Sequence, residues 1–216
     1  MSYQGLDPWL YIIATFSIGM LPLGAVMMTS FTKISIVLAL LRNSLGVQQA
    51  PSNLALAGIA SAVTMLVMAP VMHQINAGVD LEGILTGQSR PSLAELVDAV
   101  KPPIVDFMTK QVDPQELESL AKTVAKRMPD DVEAPSGLSV LVPAFVISEV
   151  TAAFKIGMFL AIGFAVVDLI TANLLMAMGM TMFPPTTVSI PLKLLVFVTT
   201  AGFSRTLHGL IDSYNV

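Results

Sequence analysis

The chain has 216 residues and a formal net charge of −4, with only 12% charged and 54% hydrophobic residues and a mean hydropathy of +0.76, a balance outside that of an ordinary soluble domain. It holds no cysteine, which excludes disulfides, thiolate chemistry and cysteine-ligated metals. Its two histidines, His73 and His208, lie far apart and match no metal-ligand spacing.

At the N-terminus no Lys or Arg precedes the apolar run, and Asp7 sits where a signal peptide would carry positive charge. The first hydrophobic segment is therefore expected to be retained. Pro8 to Thr32 is uncharged, followed by Lys33, the apolar stretch Ile34 to Leu41, and Arg42. Trp9 to Leu41, if wholly helical, is ~50 Å long at ~1.5 Å per residue, too long for one perpendicular span of a ~30 Å hydrocarbon core. Gly19, Pro22 and Gly24 offer a kink within it. Asn43 to Asn53 reads as a polar turn, and a second apolar helix is predicted from Leu54 to Ile75. Residues 1–75 thus form an N-terminal hydrophobic helical hairpin.

Residues 76–137 carry 17 of the 26 charged residues, 11 acidic and 6 basic, for a net of −5. This is an acidic, water-soluble insert, and it reads as helical. Ser92 and Glu95 form a capping-box pattern ahead of Leu93, Leu96, Val97 and Val100, and Pro102–Pro103 are predicted to end that helix. Asp113, Pro114 and Glu116 mark a second helix start. Leu117, Leu120, Ala121, Val124 and Met128 then share one face, with Glu118 and Lys122 paired at i,i+4. Asp130 to Gly137 reads as a linker. A small helical cap is the simpler reading of the insert, since it shows no nucleophile–base pair and no phosphate-binding glycine loop.

Residues 138–216 repeat the hydrophobic plan. A helix is predicted from Pro143 to Met178 and another from Pro191 to Leu210, within a run that has no charge between Asp168 and Lys193. The helix must break at Gly179, Pro184 and Pro185, because each proline lacks an N–H and the second drives the first out of the α region. Broken backbone at membrane depth is tolerated only when buried in protein or lining a cavity. The break is rich in methionine, which points to a pore constriction; packing of a helix interface is the plainer alternative, since methionine is a common core filler. The pattern as a whole predicts an all-α membrane protein with two long helical hairpins flanking the small helical soluble insert.

Lys33, Glu149, Lys155, Asp168 and Lys193 lie in or beside apolar segments, where charge is costly unless paired or wet. Glu149 and Lys155 face different sides of a helix, and Glu149 and Asp168 stand ~28 Å apart along one. Partners must come from another helix or another subunit. Packing salt bridges between subunits are favoured over snorkelling at a membrane edge and over an ion or proton pathway. Lys33 and Arg42 flank the first hairpin turn, which by the positive-inside rule puts that turn in the cytoplasm and the insert on the opposite side. Arg205 argues weakly against this.

Several segments resemble the FliP/SctR family of type III secretion export-gate proteins: Leu21-Pro22, Thr29 to Ile34, Leu40 to Asn43, Leu45 to Gln49 with Pro51 to Asn53, and Met68 to Pro70. Pro143 to Phe145, Ser148-Glu149, Ala153 to Gly157, Val166 to Leu169, Met178 to Met180, Pro185, Ile190-Pro191 and Lys193-Leu194 continue the likeness, which covers both hydrophobic blocks and matches the insert only in position and character. The resemblance implies a non-enzymatic, cofactor-free subunit of a homo-pentamer. Its partners would be SctS/FliQ-like and SctT/FliR-like membrane proteins, other export-gate and needle or rod components, and unfolded secreted substrates passing through its centre; nucleic acid is not among them. It also implies strongly bent hairpins and a location in the bacterial inner membrane, with much of the gate on the periplasmic side. The absent signal peptide favours the injectisome branch over the flagellar one.

By position the resemblance makes Met178, Met180, Thr181, Met182 and Phe183 a pore gasket. Thr181 stands where many relatives have a third consecutive methionine, and Phe183-Pro184 replaces a smaller or more polar pair. Lys33, Arg42, Glu149, Lys155, Asp168 and Lys193 become inter-subunit or inter-helix charges, so that loss of Glu149 or Lys155 is expected to weaken assembly. The competing class is a solute or ion transporter built on the broken helix with Glu149 and Asp168. Against it, the two hairpins show no convincing internal repeat. No constellation of catalytic residues is visible.

Overall fold

A computed structural model of the chain describes residues 8–47, 50–79, 92–127 and 137–214. All its elements are helices: α1 Pro8–Met27, α2 Phe31–Ser44, α3 Asn53–Val67, α4 Ala69–Gly78, α5 Leu93–Gln111, α6 Pro114–Arg127, α7 Leu138–Ala177, α8 Thr186–Thr199 and α9 Gly202–Asp212. Among the described residues, α7, with 40 residues, is the one helix long and apolar enough to cross a membrane; α3 with α4, and α8 with α9, add two more if each bent pair counts as a span. At ~1.5 Å per residue α7 measures ~60 Å, about twice a hydrocarbon core.

The central seam is α2 against α7. Ile34, Val37 and Leu38 of α2 interlock with Leu141, Ala144 and Phe145 of α7, all essentially inaccessible. Gly157 brings the two backbones close, since a Cβ there would stand 2.3 Å from Leu40 Cδ1. The insert helices α5 and α6 both lie on α7, and α5 also contacts α4. Phe107 and Met108 of α5 enter the same core. The first apolar block reaches that core through α2, α3 and α4, while α1 touches α2 alone to any extent.

Local signals explain several boundaries. The Ser92/Glu95 capping box opens α5, with Ser92 Oγ accepting from the Glu95 N–H (3.3 Å) and the Ser92 N–H donating to the Glu95 carboxylate (2.8 Å). Asp113 Oδ1 accepts from the Gln115 N–H at 2.9 Å and starts α6. On the exposed face of α6 the Lys122 ammonium, 2.6 Å from Glu118, holds that carboxyl below its ordinary value through a hydrogen bond and its charge. Met128 and the predicted linker, save Gly137, which caps α7, lie outside the described residues.

Five boundaries differ from the sequence pattern. The break in the first apolar run falls at Met28 to Ser30, not at Gly19, Pro22 or Gly24; Pro22 is absorbed within α1. There the Thr29 and Thr32 hydroxyls donate to the Ala25 and Val26 carbonyls (2.7 and 2.8 Å), taking up acceptors that a continuing helix would need. The expected helix from Leu54 to Ile75 is two helices bent by 57° at Met68, with Pro70 in the opening turn of α4, where its missing N–H costs nothing. Pro102 and Pro103 do not end α5, which runs to Gln111 because Phe107 and Met108 beyond them are packed into the core. α7 begins at Leu138, ahead of Pro143, and buries Val140 and Leu141 in its first turn. The last helix starts at Thr186, absorbs Pro191, and divides at Ala201, a left-handed residue (φ 50°), with a 61° bend between α8 and α9.

Candidate functional site

The charge-free stretch between Asp168 and Lys193 spans the end of α7, the α7–α8 turn and the first half of α8. α7 ends in a Schellman motif: Gly179 N–H donates to the Met176 carbonyl and Met180 N–H to the Leu175 carbonyl, both at 3.0 Å. Gly179 supplies the left-handed residue the motif requires, at φ +76°. A β-turn follows, closed by the Phe183 N–H on the Met180 carbonyl at 3.2 Å, with Thr181 and Met182 at its two central positions. The carbonyls of Pro184 and Pro185 then accept from the Thr187 and Val188 N–H groups (3.1 Å each) and open α8. Gly179 thus stops one helix and the prolines start the next. The turn is a backbone-bonded structure, and its side chains project from it: Met182 is 100% exposed, Met178 68%, Met180 and Phe183 39% each, and Thr181 is exposed too.

The charged positions separate into three groups. Lys33 Nζ donates to Glu149 Oε1 at 3.3 Å, with the two residues 4% and 2% exposed. The Tyr214 hydroxyl donates to Glu149 Oε2 and lies 3.3 Å from the Ser30 carbonyl oxygen, while the Lys33 ammonium sits 3.8 Å from the centre of the Tyr214 ring. Both carboxylate oxygens are therefore satisfied, and the ammonium gains a cation–π contact. Further along α7 by ~28 Å, Lys193 Nζ donates to Asp168 Oδ2 at 2.6 Å and to the Ser44 carbonyl at 3.2 Å, tying α8 to α7 and to the C-terminal end of α2.

Arg42 Nη1 donates to Asn53 Oδ1 (2.7 Å) and the Pro51 carbonyl (3.2 Å), stitching the α2–α3 turn without a carboxylate. Lys155 is exposed and makes no ion pair among the described residues. Four of the six charges accordingly pair across helices inside one chain. Among the described residues no group of three or more His, Asp or Glu side chains is placed to hold a metal ion.

Two contributors were not among the site residues that the sequence singles out. Tyr214 stands just past α9, outside any periodic pattern. Ser148 links the insert to α7, accepting from the Asp113 N–H at 3.0 Å and donating to the Ala144 carbonyl at 2.8 Å. Its adjacency to Glu149 on a buried face was the one available hint.

The sequence profile of the FliP family matches residues 14–210, which takes in both apolar blocks, the insert and the methionine turn. The chain belongs to the FliP family. It is 42% identical over 209 residues to Pathogenicity-related ORF2 of Xanthomonas campestris pv. glycines, covering 95% of this chain and 96% of that protein. Identity with Hypersensitivity response secretion protein HrcR of Ralstonia nicotianae is 40% over 210 residues, covering 94% and 95%. With Yop proteins translocation protein R of Yersinia pestis it is 39% over 207 residues, covering 94% of each. Within the FliP family these relatives place the chain in the injectisome branch of type III secretion.

Proposed function

We propose that this FliP-family chain is the core pore-forming subunit of a type III secretion export gate in the bacterial inner membrane, a non-enzymatic conduit for unfolded proteins. The observation that carries the pore reading is the α7–α8 turn: a backbone-bonded, charge-free hairpin tip that presents Met178, Met180 and Met182 outward, none of them buried by the other described residues. A ring of such tips, one from each of five subunits, excludes ions when empty, because a narrow apolar constriction does not hold water. Unbranched, polarizable methionine side chains then yield around a passing polypeptide of any sequence. Thr181 at the centre of the turn leaves three sulfur side chains per subunit, and Phe183 adds bulk at the base.

In this reading the two charge clusters set the turn's position, and Lys155 and Arg42 face SctS/FliQ-like, SctT/FliR-like or neighbouring subunits. The insert and much of the assembled gate stand on the periplasmic side.

The test is replacement of Met178, Met180 and Met182 together by alanine in the assembled gate, reconstituted in liposomes. The expected result is a clear rise in the leak of small ions, with the oligomer unchanged on a native gel. An unaltered leak would remove the seal from this turn.

A further inference from the structure

Tyr214, just past α9, joins α2, α5 and α7 around the Lys33–Glu149 pair. Its ring stacks on Phe107 of α5 at 6.0 Å and 20°, and Phe107 meets Phe145 of α7 edge-on at 5.8 Å. Its hydroxyl engages Glu149 of α7, its face covers the Lys33 ammonium of α2, and the Ser30 carbonyl of the turn before α2 lies beside it. The α9 helix that leads to it is mostly exposed, yet Tyr214 itself is 7% exposed. The arm formed by α8 and α9 begins at the methionine turn. Polar contacts fasten it to α7 at both ends: Lys193 and Ser189 with Asp168 near the turn, and Tyr214 with Glu149 at the far end.

We infer that Tyr214 is a latch: its docking fixes the α8–α9 arm and the insert helix α5 in one register on α7, and displacement of that arm releases α5 at the same time. The physical basis is that undocking cannot be confined to one element. It takes from the buried Glu149 Oε2 its donor, uncovers one face of the Lys33 ammonium, and strips a stacked ring from Phe107. A movement at the pore turn is thereby communicated to the insert on the other side of the fold. That functional consequence rests on the pore reading above; the coupling itself does not.

Hydrogen exchange of the full-length protein in detergent tests the latch, read at the α5 amides around Phe107 and Met108. Tyr214→Phe keeps the stacked ring and removes only the hydroxyl, so α5 exchange is expected to rise roughly tenfold, the worth of one hydrogen bond to a charged group. Tyr214→Ala is expected to raise it further. Should the alanine variant fail to fold, a double-mutant cycle of Tyr214→Phe with Glu149→Gln carries the same test. The two changes are expected to be strongly non-additive at α5, because one removes and the other weakens the same shared contact. Wild-type exchange in α5 for Tyr214→Phe, or additive effects in the cycle, would overturn the latch. Failure of the alanine-turn leak test would overturn the pore reading and leave these exchange rates unaffected, so the two failures are distinguishable.

Discussion

At the scale of single residues, charges that look alike in the sequence do different work. Glu149 and Lys155 stand six positions apart in the same apolar helix, yet Glu149 is 2% exposed and bonded to Lys33 and Tyr214, while Lys155 is exposed with no ion-pair partner among the described residues. Glu149→Ala leaves the buried Lys33 ammonium without its carboxylate and takes one acceptor from the Tyr214 hydroxyl. The expected cost to the subunit is ~3–5 kcal/mol, visible as a lower unfolding midpoint in detergent before assembly is considered. Lys155→Ala breaks no ion pair among the described residues, and the subunit's stability is expected to change by no more than ~0.5 kcal/mol. Its effect belongs to oligomer formation, measured on a native gel at matched concentrations. Equal unfolding midpoints for the two variants would show that burial does not separate their roles.

Elements show where local chemistry decides and where packing overrides it. Gly179 and Gly202 both punctuate the last block, but for different reasons. Gly179 needs its left-handed φ and has nothing within 4 Å of a hypothetical Cβ, so Gly179→Ala is expected to cost ~1–2 kcal/mol, all of it backbone. A Cβ on Gly202 would meet Phe197 Cδ2 at 2.3 Å, Cε2 at 2.5 Å and the Phe197 carbonyl oxygen at 3.0 Å. Gly202→Ala is therefore expected to destabilise the α8–α9 bend more than Gly179→Ala destabilises the turn, with the order read from thermal unfolding of the two variants. The Ser92/Glu95 capping box and the Asp113 start were legible in the sequence because a cap is a bond between residues three apart or fewer. The end of α7 was legible as a break near Gly179, again a local matter. Pro102–Pro103 misled because the residues that carry α5 across them, Phe107 and Met108, are held by α7 and Tyr214, which no window of sequence contains. The bends at Met68 and Ala201 escaped for the same reason: a hydrophobic run reports apolar surface, not the direction in which the core lies. The site divides likewise: the methionine turn announces itself in composition, and the partners of Lys33 and Lys193, 116 and 25 residues away, do not.

For the whole molecule the decisive quantity is the apolar surface left uncovered. Along α7 the side chains of Phe154, Met158, Phe159, Ile162 and Val166 are each at least half exposed, on faces turned away from α2. Such a contiguous stripe on a single subunit calls for lipid or for another chain. The two can be told apart with one charge. If five copies close into a ring and this stripe lies between neighbours, Phe159→Asp, at a side chain 73% exposed in the subunit, leaves the isolated fold intact but buries an unpaired carboxylate at every contact. Mass spectrometry from detergent is then expected to show the pentamer replaced by monomer, with the far-ultraviolet circular dichroism of the subunit unchanged. If the stripe instead faces acyl chains, the carboxylate opposes membrane insertion by ~2.5–3.5 kcal/mol per helix, and the loss appears as reduced membrane-integrated protein while the extracted remainder still forms pentamers. Retention of both pentamer and membrane yield would mean that neither lipid nor a neighbouring subunit covers Phe159, and the subunit-to-subunit surface would have to be sought on another helix.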